Sequence, residues 1–276
     1  MKEIQSGSHG WAVEITDPND PRLSPYKNIR EKDLVGRQQR FIAEGKVVLN
    51  VLFSSSARFE AESVLVLNNR LNGLQEQLIH SPEGLPVYSA SQSIMDEVAG
   101  FHVHRGILAV GRRKPQTGLE EVIARLPQEA LVVALCGISN HDNAGSIFRN
   151  AAAFEADCIL MDETCCDPLY RKAIRVSVGA TLKVPYYRGA SIETIVDLLQ
   201  AASFNVLALS PSSLTNIFQA PDHPRQALLL GTEGEGLPPH LLERLATARI
   251  PMSKDFDSLN VATASGIALS RFSRFG

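Results

Sequence analysis

Apolar positions along the chain switch between two rhythms. Short apolar runs of strand length alternate with stretches in which apolar residues return every three or four positions. In the first part, Phe41–Gly45, Glu62–Leu67, Pro86–Tyr88 and Gly106–Gly111 read as strands. Lys46–Phe53, Asn69–Ile79 and Gln92–Val98 read as helices, the last capped by Ser91. This βαβα alternation predicts a small α/β sandwich over residues 31–112. Residues 1–30 are polar, and Asp17-Pro18-Asn19-Asp20-Pro21 and Ser24-Pro25 forbid a long helix there, which predicts an extended arm. Residues 113–130 read as a linker with one short helix.

From residue 131 to 276 the alternation is longer. Leu131–Cys136, Asp157–Met161, Lys183–Tyr187, Asn205–Leu209 and Ala227–Leu230 read as strands, with a second apolar touch at Ala248–Pro251. Helices are expected at Asn143–Phe154, Leu169–Val176 and Ser191–Ala201, and from Asn260 onward in small residues. The uninterrupted apolar strands predict a parallel sheet covered on both faces. Two strand-to-turn junctions near the end fall about twenty residues apart, the spacing expected where neighbouring strands deliver loops to one edge. The fold class is therefore α/β, with a smaller domain ahead of a larger parallel one.

Composition adds limits. The chain has 276 residues, 44% hydrophobic and 21% charged, the balance of a water-soluble globular protein. No apolar stretch is long enough for a membrane span, and the N-terminus has no apolar core of a signal peptide. Net charge is −3, split as +1 over residues 1–115 and −4 over the rest. A nucleic-acid partner would have to meet a local basic patch. Arg112-Arg113-Lys114 and Arg171, Lys172 and Arg175 are the two candidates, with a solvated charge cluster as the alternative for each. Cys136, Cys158, Cys165 and Cys166 lack zinc spacing, so free thiols in a cytoplasmic setting are expected. His102-Val103-His104-Arg105 puts two histidines on one face without a third ligand, so no metal is expected; Arg105 reads as a surface turn residue, placed to face a nucleic-acid partner if there is one.

The densest chemistry lies in Gly231-Thr232-Glu233-Gly234-Glu235-Gly236. It is neither a Walker A loop nor G-x-G-x-x-G. Its glycines admit close backbone approach, and its spacing leaves a ligand loop and an ordinary turn both open.

Three segments carry a resemblance: Asn143-Ala144-Gly145-Ser146-Ile147-Phe148-Arg149-Asn150-Ala151, GTEGEGL from Gly231, and IPM with SLNVATASGIAL from Ile250. In this order they resemble the three motifs of the SpoU/TrmH class of RNA methyltransferases. FIAEG and HVHRGILAV resemble, more weakly, the L30e-like substrate-binding domain that precedes the catalytic domain in many of them. The resemblance implies a C-terminal trefoil-knotted domain, a homodimer and transfer of a methyl group from S-adenosylmethionine. The acceptor it implies is a ribose 2′-hydroxyl in rRNA or tRNA. It places Arg149, Asn143, Glu233, Ser258 and Asn260 in the catalytic site. Leu209, Gly231, Gly236, Ile250, Met252 and Leu259 fall at the cofactor. A catalytically silent RNA-binding protein and an RNA base methyltransferase are the alternatives.

Overall fold

A computed structural model describes residues 11–27, 35–36, 38–232, 234–253 and 255–275. The chain forms two compact units, one of Met1–Lys114 with Leu169–Lys183, the other of Pro115–Pro168 with Val184–Gly276.

The first unit contains β1 (Val13–Glu14), β2 (Arg40–Glu44), α1 (Lys46–Leu52), β3 (Glu60–Leu67), α2 (Gln75–Ile79), β4 (Val87–Ala90), α3 (Gln92–Ala99) and β5 (Ile107–Arg112). Its sheet runs β1-β4-β3-β5-β2, with β1, β4 and β3 parallel and β5 antiparallel to both its neighbours. The Ser91 hydroxyl caps α3 as the sequence implied. The helix expected over Asn69–Ile79 divides into a 3₁₀ segment, Asn68–Leu74, followed by α2. Three Asn and a Gly in that first segment favour local turns over an α-helix.

The extended-arm expectation needs correcting over residues 11–27. Ile15, Leu23 and Tyr26 lie in the core with Leu65, Met95 and Leu108. The prolines that exclude a long helix allow a 3₁₀ turn, Pro21–Tyr26, capped by Asp20. Positions i and i+3 eclipse in such a turn, so Leu23 and Tyr26 enter the core together. The Tyr26 hydroxyl then shares a 2.7 Å hydrogen bond with Ser63.

The second unit begins with α4 (Leu119–Ala124), β6 (Ala130–Leu135), α5 (His141–Ala153) and β7 (Cys158–Asp162). The chain then returns to the first unit for α6 (Arg171–Val176). There Leu182 accepts a hydrogen bond from the backbone of Arg58 at 3.0 Å. Ala180–Leu182 is a 3₁₀ turn, so the strand expected from Lys183 starts only at Tyr186. The second unit resumes with β8 (Tyr186–Ala190), α7 (Ile192–Ala201), β9 (Asn205–Leu209), β10 (Arg225–Leu230), α8 (Pro239–Arg244), β11 (Ala246–Ala248) and α9 (Val261–Phe272).

Its sheet is parallel throughout, in the order β11-β9-β10-β6-β7-β8. Val132–Leu135 and Leu228–Leu229 are fully buried, because helices cover both faces. Leu119, Ile123, Ile195, Leu199 and Leu241 pack against one face. On α5 the Phe148 ring meets Tyr186 edge-on at 5.5 Å. β10 and β11 are not neighbours as expected from their spacing: β9 lies between them. From β6 the chain steps outward through β7 to β8, then crosses to the other side. The sheet therefore has a switch point at β6/β10, and open α/β sheets bind ligands beyond the carboxyl ends of strands at such a point.

Candidate functional site

The loops leaving β9, β10 and β11 enclose a cleft of about 420 Å³. All six residues expected at a cofactor line it: Leu209, Gly231, Gly236, Ile250, Met252 and Leu259. Ser258 lines it too. The cleft follows from topology. Leu209 ends β9, Gly231 follows β10, and Ile250 lies just beyond β11, so three parallel strands deliver their carboxyl ends to one place. Ser210 donates its backbone N–H to Ala248 at 3.0 Å, tying two of these loops together.

Gly231 is required for a reason other than ligand approach. A Cβ there would stand 2.5 Å from the carbonyl carbon of Gly236 and 2.7 Å from the nitrogen of Leu237. The loop folds back onto its own first residue, and Gly236 completes the reversal at φ +72°. Glu233 lies outside the described residues.

A second recess, of about 310 Å³, adjoins the cleft and shares Thr232, Gly234 and Val261 with it. Gly137, Ser139, Asn140 and Asn143 form its other side. Asn260 caps α9, its side-chain oxygen accepting from the backbone of Ala262 at 2.9 Å and Thr263 at 3.2 Å. Its amide nitrogen donates to Asn143 at 3.0 Å. Two of the expected catalytic residues, from segments over a hundred residues apart, therefore meet beside the recess, which Asn143 lines and Asn260 does not. Asn143 is 7% exposed.

Arg149 does not line either cavity. It is exposed on α5, with no ion pair among the described residues. Its neighbours Ser146 and Asn150 line a third, open groove of about 640 Å³, together with Phe154, Phe218 and Ile267.

Several residues at the site were not singled out from the sequence. Asn150 donates from one nitrogen to the Ala262 carbonyl at 2.8 Å and to the Ser265 hydroxyl at 2.9 Å, binding α5 to α9 a second time. Asp162, 4% exposed, accepts the backbone N–H of Gly137 at 2.9 Å and of Cys165 at 2.9 Å, and the Thr164 hydroxyl at 2.8 Å. It thereby fixes the loop that opens the recess. Asp-Glu-Thr after an apolar run is a legible turn signal for Asp162. Asn140 before His141-Asp142 is a legible N-cap. Glu235 and Asp257 add two carboxylates to the cleft lining. Burial, and then the Asp162 charge, push the Cys136 thiol up to about 12; burial also raises Cys165, and Cys166 to about 11. All four cysteines are free thiols, as expected.

The family model described as the SpoU rRNA methylase family matches residues 130–270. The chain belongs to the SpoU rRNA methylase family. Among its relatives is an uncharacterized tRNA/rRNA methyltransferase of Mycobacterium tuberculosis. It is 39% identical over 273 residues, covering 95% of this chain and 92% of that protein. The 23S rRNA (guanosine-2′-O-)-methyltransferase of Escherichia coli K12 is 29% identical over 214 residues, covering 75% of this chain and 88% of the relative. The fold is shared with an AdoMet-bound rRNA methyltransferase from Sinorhizobium meliloti, at a TM-score of 0.79 and 22% identity over 95% of this chain and 97% of that one. All three SpoU segments quoted from the sequence fall at the cleft, the recess or α5.

The basic clusters fare unequally. Arg40 and Arg112 both pair with Glu62, and Lys114 pairs with Glu60 at 3.0 Å. Arg171, expected to share a face with Lys172 and Arg175, instead stacks over Phe101 at 3.9 Å and lies 3.6 Å from the buried Glu44. A planar guanidinium can satisfy a ring and a carboxylate together, which a solvated lysine does less well. Lys172, Arg175 and Arg105 are exposed, and Arg113 is half-buried. His102 is held by Asp96 at 2.7 Å.

Proposed function

We propose that this protein transfers a methyl group from S-adenosylmethionine to a ribose 2′-hydroxyl of rRNA or tRNA. The observation that carries the reading is the pairing of the 420 Å³ cleft with the recess beside the Asn143–Asn260 bond, across Thr232, Gly234 and Val261. The cleft fits the cofactor: Leu209, Ile250, Met252 and Leu259 supply apolar walls, backbone groups supply hydrogen bonds, and Glu235 and Asp257 face a cationic ligand. When bound, S-adenosylmethionine supplies a methyl group on a positively charged sulfonium. The relatives' names, one of them a 2′-O-methyltransferase, support the acceptor.

Within this reading, Asn143 and Asn260 hold the ribose in line, while Ser258 and Glu233 fix its surroundings. Arg149 keeps its proton, as guanidinium does in proteins, and acts by charge: it anchors the target phosphate and stabilises the oxyanion as it forms. The exposed Arg105 and Arg175 are the better phosphate contacts, with Lys172 beside Arg175 on α6. Arg112 and Lys114 must first leave Glu62 and Glu60, while Arg113 and Arg171 contribute at the margin. No helix among the described residues is long and apolar enough to cross a membrane. A cytoplasmic setting, no metal requirement and a knotted C-terminal segment complete the proposal.

The working form is a homodimer. The groove between α5 and α9 exposes Phe218 beside Ile267, and a second copy is the occupant that suits it. Arg149 lines none of its own cavities, and on α5 it lies to one side of the groove residues Ser146 and Asn150; in this reading each site is completed by Arg149 of the other copy. Calorimetric titration with S-adenosylmethionine tests the cleft: one cofactor per chain is expected, and absence of binding would reduce the protein to a silent RNA binder.

A further inference from the structure

The turn that follows β7 is bonded to the loop that walls the recess. Asp162 ends the strand, 4% exposed, and lines neither the cleft nor the recess. Its two carboxylate oxygens do different things. Oδ1 accepts the Thr164 backbone N–H at 3.0 Å, the Thr164 hydroxyl at 2.8 Å and the Cys165 backbone N–H at 2.9 Å. Oδ2 accepts the backbone N–H of Gly137, the first recess residue, at 2.9 Å. The Cys136 and Cys165 thiols lie against the same carboxylate. Two more bonds hold the next loop residue. Ile138 donates its N–H to the Cys165 sulfur at 3.2 Å, and its carbonyl accepts from the Cys166 backbone at 2.8 Å. Thr232 of the glycine turn confines Gly137 as well, since a Cβ there would stand 2.6 Å from the Thr232 methyl.

A carboxylate is unfavourable to bury, and a turn of this kind needs one side-chain oxygen, which Asn supplies without a charge. What the carboxylate adds is a second acceptor, and that acceptor holds the recess loop. We propose that Asp162 is a positioning residue for the methyl acceptor. Through Gly137 it fixes the recess wall against the glycine turn, and so sets the line from the acceptor oxygen to the methyl group. The inference rests on the methyltransferase reading and names a residue of it outside all three segments that resemble the SpoU motifs. Because Asp162 does not reach the cleft, its effect falls on alignment and leaves cofactor affinity intact. In-line displacement is sensitive to alignment: a misplacement of about 1 Å is worth ~10²-fold in rate.

Asp162→Asn separates the two oxygens. The three donors at Oδ1 keep the Asn carbonyl in place, which turns its NH₂ toward the Gly137 N–H, donor against donor. The turn persists and the link to the loop is lost. Single-turnover methyl transfer is measured on the full chain with saturating labelled S-adenosylmethionine and unmodified rRNA and tRNA, beside calorimetry of the cofactor and hydrogen exchange. Turnover should fall ~10²-fold while cofactor affinity stays near wild type and residues 137–139 exchange faster. Thr164→Val removes a donor from Oδ1 alone, so it should melt lower than wild type and keep wild-type turnover. Cys165→Ala frees the Ile138 N–H and should lose turnover in the same direction, which decides the matter if Asp162→Asn does not fold. Wild-type turnover in folded Asp162→Asn, or failing that in Cys165→Ala, would overturn the proposal. An equal loss in Thr164→Val would also overturn it, by making turn stability the whole effect, as would cofactor affinity that falls with the rate. Wild-type protein that binds cofactor and methylates no RNA rejects the methyltransferase reading itself. Methylating wild type with an indifferent Asp162→Asn rejects the positioning role alone.

Discussion

Arg149 carries the most specific prediction at the scale of single residues. Charge stabilisation and proton-transfer assistance are each worth about 10²–10⁴-fold in rate. Arg149→Ala should therefore lose turnover by that order in single-turnover methyl transfer, while cofactor affinity, read by calorimetry, stays near wild type. Arg149→Lys should recover part of the rate, since it keeps the charge and loses the planar fork. Wild-type turnover in the alanine variant would remove Arg149 from the mechanism. Gly231 gives the opposite signature. Any Cβ overlaps the backbone of Gly236, so Gly231→Val must unfold the loop locally. Cofactor affinity should be lost with little change in far-ultraviolet circular dichroism. The cysteines give a pH dependence. Cys136 and Cys166 have thiols raised to about 12 and about 11, above the ordinary value of 9.0. Their contribution to stability is complete below pH about 9, where unfolded thiols keep their protons, and is lost as pH rises through the folded values. Urea midpoints should fall between about pH 9 and 12, less so in Cys136→Ala.

At the scale of elements, the clasp between α5 and α9 organises the site. Asn143 and Asn150, two turns apart on α5, bond the start of α9 at Asn260, Ala262 and Ser265. Small residues make this approach possible: Ala262, Ser265 and Ala268 are buried, and a Cβ on Gly266 would stand 3.2 Å from the Asn150 amide. The small-residue stripe is thus largely spent inside the unit, and the open groove presents Thr263, Ile267 and Ser270 instead. Asn150→Ala removes the donor to the buried Ser265 hydroxyl oxygen, while the Ala262 carbonyl keeps the Ser265 hydroxyl as a donor at 2.7 Å. It should cost about 1–3 kcal/mol in chemical denaturation; no measurable loss would mean the clasp is dispensable. Much of this was legible in sequence. Apolar periodicity predicted most strands and helices within a residue or two, whereas the glycine turn alone left a ligand loop and an ordinary turn open, and only the resemblance put a cofactor there. What stayed illegible depends on distant partners. Nothing in Leu23 or Tyr26 announces that a proline-rich stretch docks in a core. Nothing between Ala227 and Pro251 reveals that β9 lies between two consecutive strands. Arg171 is indistinguishable from Lys172 and Arg175 until Phe101 and Glu44 are placed beside it.

At the scale of the whole molecule, the proposed homodimer would make Arg149 a residue acting in trans. Light scattering at micromolar concentration should give twice the chain mass. Arg149→Ala and Gly231→Val proteins, each inactive alone, should regain activity when mixed and allowed to exchange. One site of the mixed dimer then combines an intact cleft with an intact Arg149 from the other copy. A mixture that stays inactive would place Arg149 in cis. RNA affinity should fall with salt, and Lys172→Ala with Arg175→Ala should reduce the log–log slope by roughly one per lost phosphate contact. The central claim has a more direct test. Purified protein is incubated with methyl-labelled S-adenosylmethionine and unmodified rRNA or tRNA, and the RNA is digested to nucleosides and resolved by mass spectrometry. The account predicts label in a single 2′-O-methylnucleoside, absent with Arg149→Ala. Label on a base, or none in any RNA despite bound cofactor, would contradict it.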